Sequence, residues 1–176
     1  MAATPWQLGN IPGPKRAMSL KSEIAAKLIQ AAKRPLLAAG SLALETKVGD
    51  GLLIDVIVKL GENGIPVVAT AHTLKGFLER GFDPAASMGI VDLTNRLTDS
   101  EWGVDGKGPH DIIVFSGVQY SLLSQMLSTL KHFATNLRTI SLDRFFQPNA
   151  DWSFPNLKEE EWEKEILIVV KTLSKT

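Results

Sequence analysis

A set of small and polar residues directly follows the apolar segments of this 176-residue sequence, and these residues are the candidates for chemistry. Each apolar segment is short and unbroken by polar residues, as expected for a strand buried on both faces of a parallel sheet. In such a sheet, ligands bind outside the carboxyl ends of the strands. The candidate cofactor-binding residues are therefore Gly40, Ser41, Thr70, His72, Ser116, Gly117 and Asp143.

Two of the candidates are glycines that could contact a phosphate or a flavin. Gly40 and Gly117 each end a predicted strand, where a glycine lets a ligand approach the main chain closely. A tight turn explains both glycines equally well. No G-x-G-x-x-G fingerprint follows any predicted strand, and no G-x-x-x-x-G-K-[ST] phosphate loop occurs. Ordinary NAD binding and nucleotide hydrolysis are therefore disfavoured.

The remaining candidates could support catalysis only if they met in the fold. His72 could act as an acid or base, but no partner is visible, so a structural hydrogen bond is the favoured interpretation. Ser41 and Ser116 lie in no G-x-S-x-G elbow, which favours helix capping over a nucleophilic role. An independent hydrolase or dehydrogenase is an alternative only if His72 and Asp143 come together. We predict no catalytic residue.

The composition excludes several classes of protein. The absence of cysteine rules out disulfides, and also thiolate-bound zinc or iron–sulfur clusters held by this chain alone. The acidic residues around the glycine-rich segment 99–110 do not follow the calcium-loop spacing, so no metal site is predicted. Nineteen basic residues balance nineteen acidic ones, which argues against nucleic-acid binding. With no membrane-length apolar segment and no signal peptide, the predicted location is cytoplasmic, with no membrane association.

The elements that must position the candidates alternate along the chain. Strands are predicted at 35–40, 65–70, 111–117 and 137–142, and helices at 19–34, 52–60, 73–80, 91–97, 120–132 and 157–173. Such alternation with short connections implies right-handed crossovers. The predicted fold is α/β, a three-layer, doubly wound, mostly parallel Rossmann-like sheet with helices on both faces. Residues 1–18 are predicted to form an irregular N-terminal arm, and residues 19–176 a single Rossmann-like domain.

Three aromatic residues stand on segments predicted to be irregular. Trp6 lies in the arm, and Trp152 and Phe154 lie in the turn-rich region before the last helix. Aromatic side chains on such segments often anchor interfaces with other proteins. Sealing of the chain's own core is the alternative, and for Trp152 and Phe154 it is the favoured one.

Four unusual stretches of the sequence resemble one protein family. They are Gly13-Pro14-Lys15, Lys33-Arg34-Pro35-Leu36-Leu37, Val91-Asp92-Leu93-Thr94-Asn95-Arg96-Leu97 and Asn149-Ala150-Asp151-Trp152-Ser153-Phe154-Pro155-Asn156. Through these stretches and its length, nearly the whole chain resembles the epsilon subunit of the archaeal carbon monoxide dehydrogenase/acetyl-CoA decarbonylase-synthase complex. Members of that family look like the cofactor-binding middle domain of thiamine-diphosphate enzymes, in which some relatives hold FAD or ADP at the strand ends.

The resemblance implies an accessory subunit without catalytic residues of its own. Its expected partner is a large nickel–iron–sulfur alpha subunit, which it would bind and stabilise in an alpha-two epsilon-two component during reversible cleavage and synthesis of acetyl-CoA. The isolated chain could form a homo-oligomer. No tightly bound cofactor is expected. The alternative that the resemblance leaves open is an FAD- or nucleotide-binding module that assists electron transfer from carbon monoxide oxidation to FAD.

Overall fold

A computed structural model of the chain describes residues 16–70 and 72–174. The strands in these ranges are β1 Met18–Ser19, β2 Pro35–Ala39, β3 Lys47–Val48, β4 Gly51–Leu52, β5 Val67–Ala69, β6 Ala86–Ser87, β7 Ile112–Ser116, β8 Arg138–Ser141 and β9 Trp152–Ser153. The α-helices are α1 Ser22–Ala31, α2 Leu53–Glu62, α3 Thr73–Leu78, α4 Ile90–Leu97, α5 Tyr120–Phe133 and α6 Glu159–Leu173. A short 3₁₀ helix spans Ser41–Leu44.

The main sheet has seven parallel strands in the order β1-β9-β8-β7-β2-β5-β6. The middle strand is β7, and beside it lies β2, in which Leu37 pairs with Val67 of β5 on one side and with Val114 of β7 on the other. The chain runs outward from β2 through β5 to β6 and then returns to β7, so the strand order reverses between β2 and β7. Strands β3 and β4 form a separate antiparallel hairpin.

Helices cover both faces of this sheet, which confirms the predicted three-layer fold. Alternate residues of β2 enter opposite cores, because successive side chains of a strand point to opposite faces. Leu37 packs in a cluster with the buried faces of α1, α2 and α6. Leu36 packs in a second cluster with α4 and α5. No helix in the described ranges is long and apolar enough to cross a bilayer.

The sheet extends further on both sides than the sequence predicted. Strands β1, β6 and β9 have two residues each, too few to form a recognisable apolar segment. Met18, the last residue of the predicted arm, belongs to β1 and pairs with Trp152. Ala17 is buried, and its N–H donates to the Pro148 carbonyl at 3.0 Å. The rest of the predicted arm, including Trp6, lies outside the described residues.

The two described aromatic candidates contribute to the core of the chain itself. Phe154 is fully buried in the cluster that contains α6, and Trp152 packs against the same cluster. Both belong to the segment that carries β9, whose position at the sheet they secure. The favoured interpretation of these two residues is therefore confirmed.

Candidate functional site

The carboxyl end of β5 is occupied by structural hydrogen bonds. Thr70 is buried, and its hydroxyl donates to the Ala39 carbonyl at 2.6 Å. The Thr70 carbonyl in turn accepts a hydrogen bond from the Thr73 hydroxyl at 2.7 Å, at the start of α3. His72 precedes that helix with an exposed side chain. Thr70 therefore ties β5 to β2.

The junction between β2 and β7, where the strand order reverses, is closed by main chain. The Gly40 N–H donates to the Ser116 carbonyl and the Leu42 N–H to the Gly117 carbonyl, both at 2.9 Å. A Cβ placed on Gly40 would lie 2.2 Å from the Gly117 oxygen. Gly117 has a φ of +74°, and its own Cβ would lie 2.8 Å from the Ala43 nitrogen. Close packing of two backbone segments accounts for both glycines, in line with the tight-turn alternative.

A cavity of about 490 Å³ lies beside this junction, above the ends of β7 and β8. Its volume is in the range of small-molecule sites. Its walls come from the 3₁₀ helix, the loop after β7, the segment after β8 and the start of α6. The lining residues are Leu42, Glu45, Thr46, Lys47, Leu53, Gly117, Val118, Tyr120, Asp143, Arg144, Phe145, Gln147, Glu159 and Trp162. Of the seven predicted site residues, only Gly117 and Asp143 line it.

Asp143 lies in the cavity wall, and its carboxyl group has a pKa well above its ordinary value. Its Oδ1 accepts a hydrogen bond from the Gly117 N–H at 2.6 Å. Its Oδ2 is shielded from solvent and has no hydrogen-bond partner in the described part of the chain, although the residue as a whole is only half-buried. Burial raises the pKa of Asp143 to about 7, against the opposing effect of the Gly117 and Val118 amides. The carboxyl group is therefore poised between its two protonation states near neutral pH.

The aromatic and charged residues of the wall were not predicted as site residues. Tyr120 and Phe145 are about half exposed. The Arg144 guanidinium lies 4.5 Å from the centre of the Phe145 ring and forms an ion pair with Glu159 at 3.3 Å. Trp162 is buried, and its indole N–H donates to the Leu142 carbonyl at 2.8 Å. Residues 143–145 directly follow a predicted strand, and this position in the sequence could have identified Arg144 and Phe145 as part of the wall.

The two candidate serines and His72 do not assemble a catalytic group. Ser41 begins the 3₁₀ helix with an exposed side chain, and the cap of that helix is Gly40. Ser116 is fully buried, and its Oγ has no hydrogen-bond partner among the described residues. Neither hydroxyl caps a helix as the sequence suggested. His72 follows β5 and Asp143 follows β8, and since β2 and β7 lie between these strands, the structure does not bring the two side chains together as a pair.

The residues at the strand ends do not fit a phosphate group bound in the usual way. In doubly wound folds, main-chain amides after a strand and the following helix N-terminus hold the phosphate. Here the Gly117 amide before α5 already donates to the Asp143 carboxylate. Within the described ranges, no group of three or more His, Asp and Glu residues is arranged to hold a metal ion.

Comparison of the sequence with known proteins places the chain in a family. A family model described as CO dehydrogenase beta subunit/acetyl-CoA synthase epsilon subunit matches residues 1–170. A protein of Methanothermobacter thermautotrophicus is 42% identical over 160 residues, which cover 90% of this chain and 89% of the relative. A protein of Methanothrix soehngenii is 38% identical over 155 residues, which cover 87% of this chain and 81% of the relative.

Both relatives are named acetyl-CoA decarbonylase/synthase complex subunit epsilon. A protein of Archaeoglobus fulgidus, named subunit epsilon 1 of the same complex, is 38% identical over 157 residues, covering 88% of this chain and 83% of its own. The similarity thus spans nearly the whole chain in each comparison. The chain belongs to the family of CO dehydrogenase beta subunits and acetyl-CoA synthase epsilon subunits.

Proposed function

We propose that the chain is an accessory subunit of an acetyl-CoA decarbonylase/synthase complex. In this role it binds and stabilises the large nickel–iron–sulfur alpha subunit, in an alpha-two epsilon-two component, during the reversible cleavage and synthesis of acetyl-CoA. The observation that carries the proposal is the match of residues 1–170 to a family whose curated relatives are named as subunits of that complex. His72 and Asp143 follow strands that have β2 and β7 between them, which supports a role without catalysis by this chain.

Co-purification with the alpha subunit from the same organism tests the proposal. We expect the two chains to elute together in size-exclusion chromatography, and native mass spectrometry to give equal copies of each. The alpha subunit alone should lose carbon monoxide oxidation faster on heating than the complex, because a partner that binds only the folded state stabilises it. Separate elution at micromolar concentrations of both chains would contradict the proposal.

A truncation of residues 1–14 tests the role of the predicted arm. This segment contains Trp6 and three of the nine prolines of the chain. If the arm contributes to the interface, the truncated chain should bind the alpha subunit more weakly while its own melting temperature stays unchanged. Equal affinity of the full and truncated chains would remove the arm from the proposed interface. A Trp6→Ala variant of the full chain shows whether the aromatic ring carries the effect.

The alternative function is an FAD- or nucleotide-binding module that assists electron transfer. The cavity of about 490 Å³ at the strand ends is the observation in its favour, because ligands of doubly wound folds bind in this region. Against it stands the engagement of the Gly117 amide by Asp143. Calorimetric titration of the complex and of the isolated chain with FAD tests the alternative. Heat in neither titration would exclude it, whereas heat only with the complex would place the site at the interface.

A further inference from the structure

We propose that the cavity beside Asp143 is a binding site for an uncharged or cationic aromatic compound that donates a hydrogen bond to this carboxyl group, and that Asp143 excludes phosphate groups from the end of β7. This proposal does not depend on the proposed contact with the alpha subunit, because it concerns a small ligand held by this chain alone. Three properties of the cavity wall lead to it: an occupied amide, a carboxylate oxygen without a donor, and a surplus of acidic groups.

The first property is the state of the amide at the end of β7. In a phosphate-binding fold this N–H would point to a ligand oxygen. The Asp143 Oδ1 lies 2.6 Å from the Gly117 nitrogen and therefore occupies the position that a phosphate oxygen would take. A phosphate entering the cavity would have to displace a hydrogen-bonded carboxylate and remain beside its negative charge. Both effects weaken the binding of anions.

The second property is the unmet hydrogen-bonding capacity of the same side chain. Asp143 Oδ2 has no donor in the described part of the chain, and a buried acceptor without a donor is energetically unfavourable. The wall beside it carries the half-exposed rings of Tyr120 and Phe145 and the side chain of Leu53. A flat ring compound with an N–H group would contact these apolar surfaces and supply the missing donor.

The third property is the charge of the wall. The lining contains the acidic residues Glu45, Asp143 and Glu159 and the basic residues Lys47 and Arg144. Arg144 is already paired with Glu159. With Asp143 ionised the wall carries one more acidic than basic group, and with Asp143 protonated the two balance. In neither state does the wall attract an anion. Uncharged and cationic compounds are the ligands that this arrangement accepts.

Protein-detected NMR titrations of the full-length, isotope-labelled chain test the site. The probes are adenosine, tryptamine, AMP and inorganic phosphate, since adenosine and AMP differ only in the phosphate group. Adenosine and tryptamine should shift the Trp162 indole N–H and the Gly117 amide with millimolar dissociation constants. AMP should bind about tenfold more weakly than adenosine, and inorganic phosphate should cause no shift of the Gly117 amide.

Two variants separate the roles of the carboxyl oxygens. Asp143→Asn keeps an acceptor for the Gly117 amide but replaces the other oxygen with a donor, so adenosine should bind about tenfold more weakly. Asp143→Ala frees the amide, so inorganic phosphate should now shift the Gly117 resonance. Asp92→Asn on the exposed surface of α4 is the matched control and should bind every probe like the unmodified chain.

The proposal is overturned by either of two results on the unmodified chain. One is binding of AMP at least as tight as that of adenosine. The other is no shift of the Trp162 indole N–H with adenosine or tryptamine at about 10 mM. Unchanged adenosine affinity in Asp143→Asn would also overturn it, because the carboxyl group would then not contact the ligand. The dispersion of amide resonances in the spectrum of each variant reports whether that variant folds. If Asp143→Ala does not fold, the titrations of the unmodified chain decide the proposal.

Discussion

Asp143 connects the carboxyl ends of β7 and β8 through its hydrogen bond to the Gly117 amide. Burial disfavours the charged form of this carboxyl group and raises its pKa to about 7, from an ordinary value of 3.8. Between about pH 4 and pH 7 the folded chain therefore holds a proton that the unfolded chain has released. In this window the free energy of unfolding falls as the pH rises.

Replacement of Asp143 by asparagine should remove that pH dependence. At pH 8 the unmodified chain carries the full penalty of a buried charge, up to about 4 kcal/mol, whereas the amide of the variant does not ionise. The variant should gain stability relative to the unmodified chain as the pH is raised from 4.5 to 8. Urea unfolding followed by circular dichroism across this range measures the difference.

The matched control for this prediction is Asp92→Asn, which removes an exposed carboxylate paired with Arg96. It should change the stability by well under 1 kcal/mol at every pH. Burial lowers the pKa of His110, and the stability linked to this group rises with pH below 6.5. That contribution is common to all three proteins and cancels in the comparison. If the stability of Asp143→Asn and that of the unmodified chain changed in parallel with pH, the assignment of the pH dependence to Asp143 would be contradicted.

Gly40 is the position where the two central strands leave no room for a side chain. A methyl group there would lie 2.2 Å from the Gly117 oxygen and 2.4 Å from the Val118 Cα, both main-chain atoms that cannot move independently. Gly40→Ala should lower the free energy of unfolding by about 3 kcal/mol or more, as expected for severe overpacking. Differential scanning calorimetry measures the shift in melting temperature.

Gly89→Ala provides the control for the Gly40 prediction. A Cβ at Gly89 meets no atom within 4 Å, and the residue lies at the start of α4 with an ordinary φ of −63°. This substitution should cost about 1 kcal/mol or less. A similar loss of stability in both variants would show that the close approach of Gly40 to Gly117 is not the cause of the loss.

At the scale of the elements, the outer strand β9 is held to β8 by reciprocal hydrogen bonds. The Asp151 carboxylate accepts hydrogen bonds from the Thr139 N–H at 2.8 Å and its hydroxyl at 3.0 Å. The Thr139 hydroxyl in turn accepts one from the Asp151 N–H at 2.9 Å. Among the described strands β1 pairs with β9 alone, so its attachment to the sheet depends on the same contacts. The stretch 149–156 that carries the family resemblance therefore has a structural role.

Asp151→Ala should loosen this edge of the sheet without unfolding its centre. Loss of the carboxylate leaves the Thr139 donors without their partner, and the expected destabilisation is about 2 kcal/mol. Hydrogen exchange followed by mass spectrometry should show faster exchange in β9 and β1 and unchanged exchange in β2 and β7. Uniformly faster exchange in all strands would show that the edge and centre open together. Asp92→Ala, which removes only an exposed ion pair, should leave the pattern unchanged.

A second structural network fixes the glycine-rich loop 99–110 at the opposite end of β2. Arg34 forms an ion pair with Asp105 at 2.5 Å and donates to the Pro109 carbonyl. Both ring nitrogens of His110 are engaged, Nε2 by the Val104 N–H and Nδ1 by the Arg34 carbonyl. The sequence identified this loop and raised calcium binding by its acidic residues as a question. In the structure, Asp105 of the loop pairs with Arg34.

At the scale of the whole molecule, one sheet separates two hydrophobic clusters. Ile57 of α2 is fully buried in one cluster, and Leu123 of α5 is fully buried in the other. The strands contribute alternate residues to both, so neither cluster can form without the sheet. A single domain of this kind is expected to unfold in one cooperative transition.

Ile57→Ala and Leu123→Ala should therefore destabilise the same transition. Each removes a fully buried side chain and should lower the free energy of unfolding by about 2–5 kcal/mol. Circular dichroism and tryptophan fluorescence should give coincident urea curves for each variant. Two separated transitions, each sensitive to only one variant, would show that the faces fold independently. Ile24→Ala, at a half-exposed position of α1, should cost about 1 kcal/mol or less.

The central strands and the helices could be predicted from the sequence because each has a local signal. The segment 111–117 is an unbroken β-branched and aromatic run, and the structure places β7 within it. The spacing of apolar residues in 157–173 likewise predicted α6. Strands of two residues carry no such signal, since their existence depends on a neighbouring strand. This is why β1, β6 and β9 were missed.

By itself, the sequence determined the fold class, the family and the edge of the sheet at which a site could lie, because these depend on local periodicity and on residues read one at a time. Only the tertiary structure decided which strand-end residues share a cavity. It separates Thr70 and His72 from Asp143 and brings Trp162 and Tyr120 to its side. Distances between side chains on different elements are set by the packing of helices on a twisted sheet, and no local pattern encodes them.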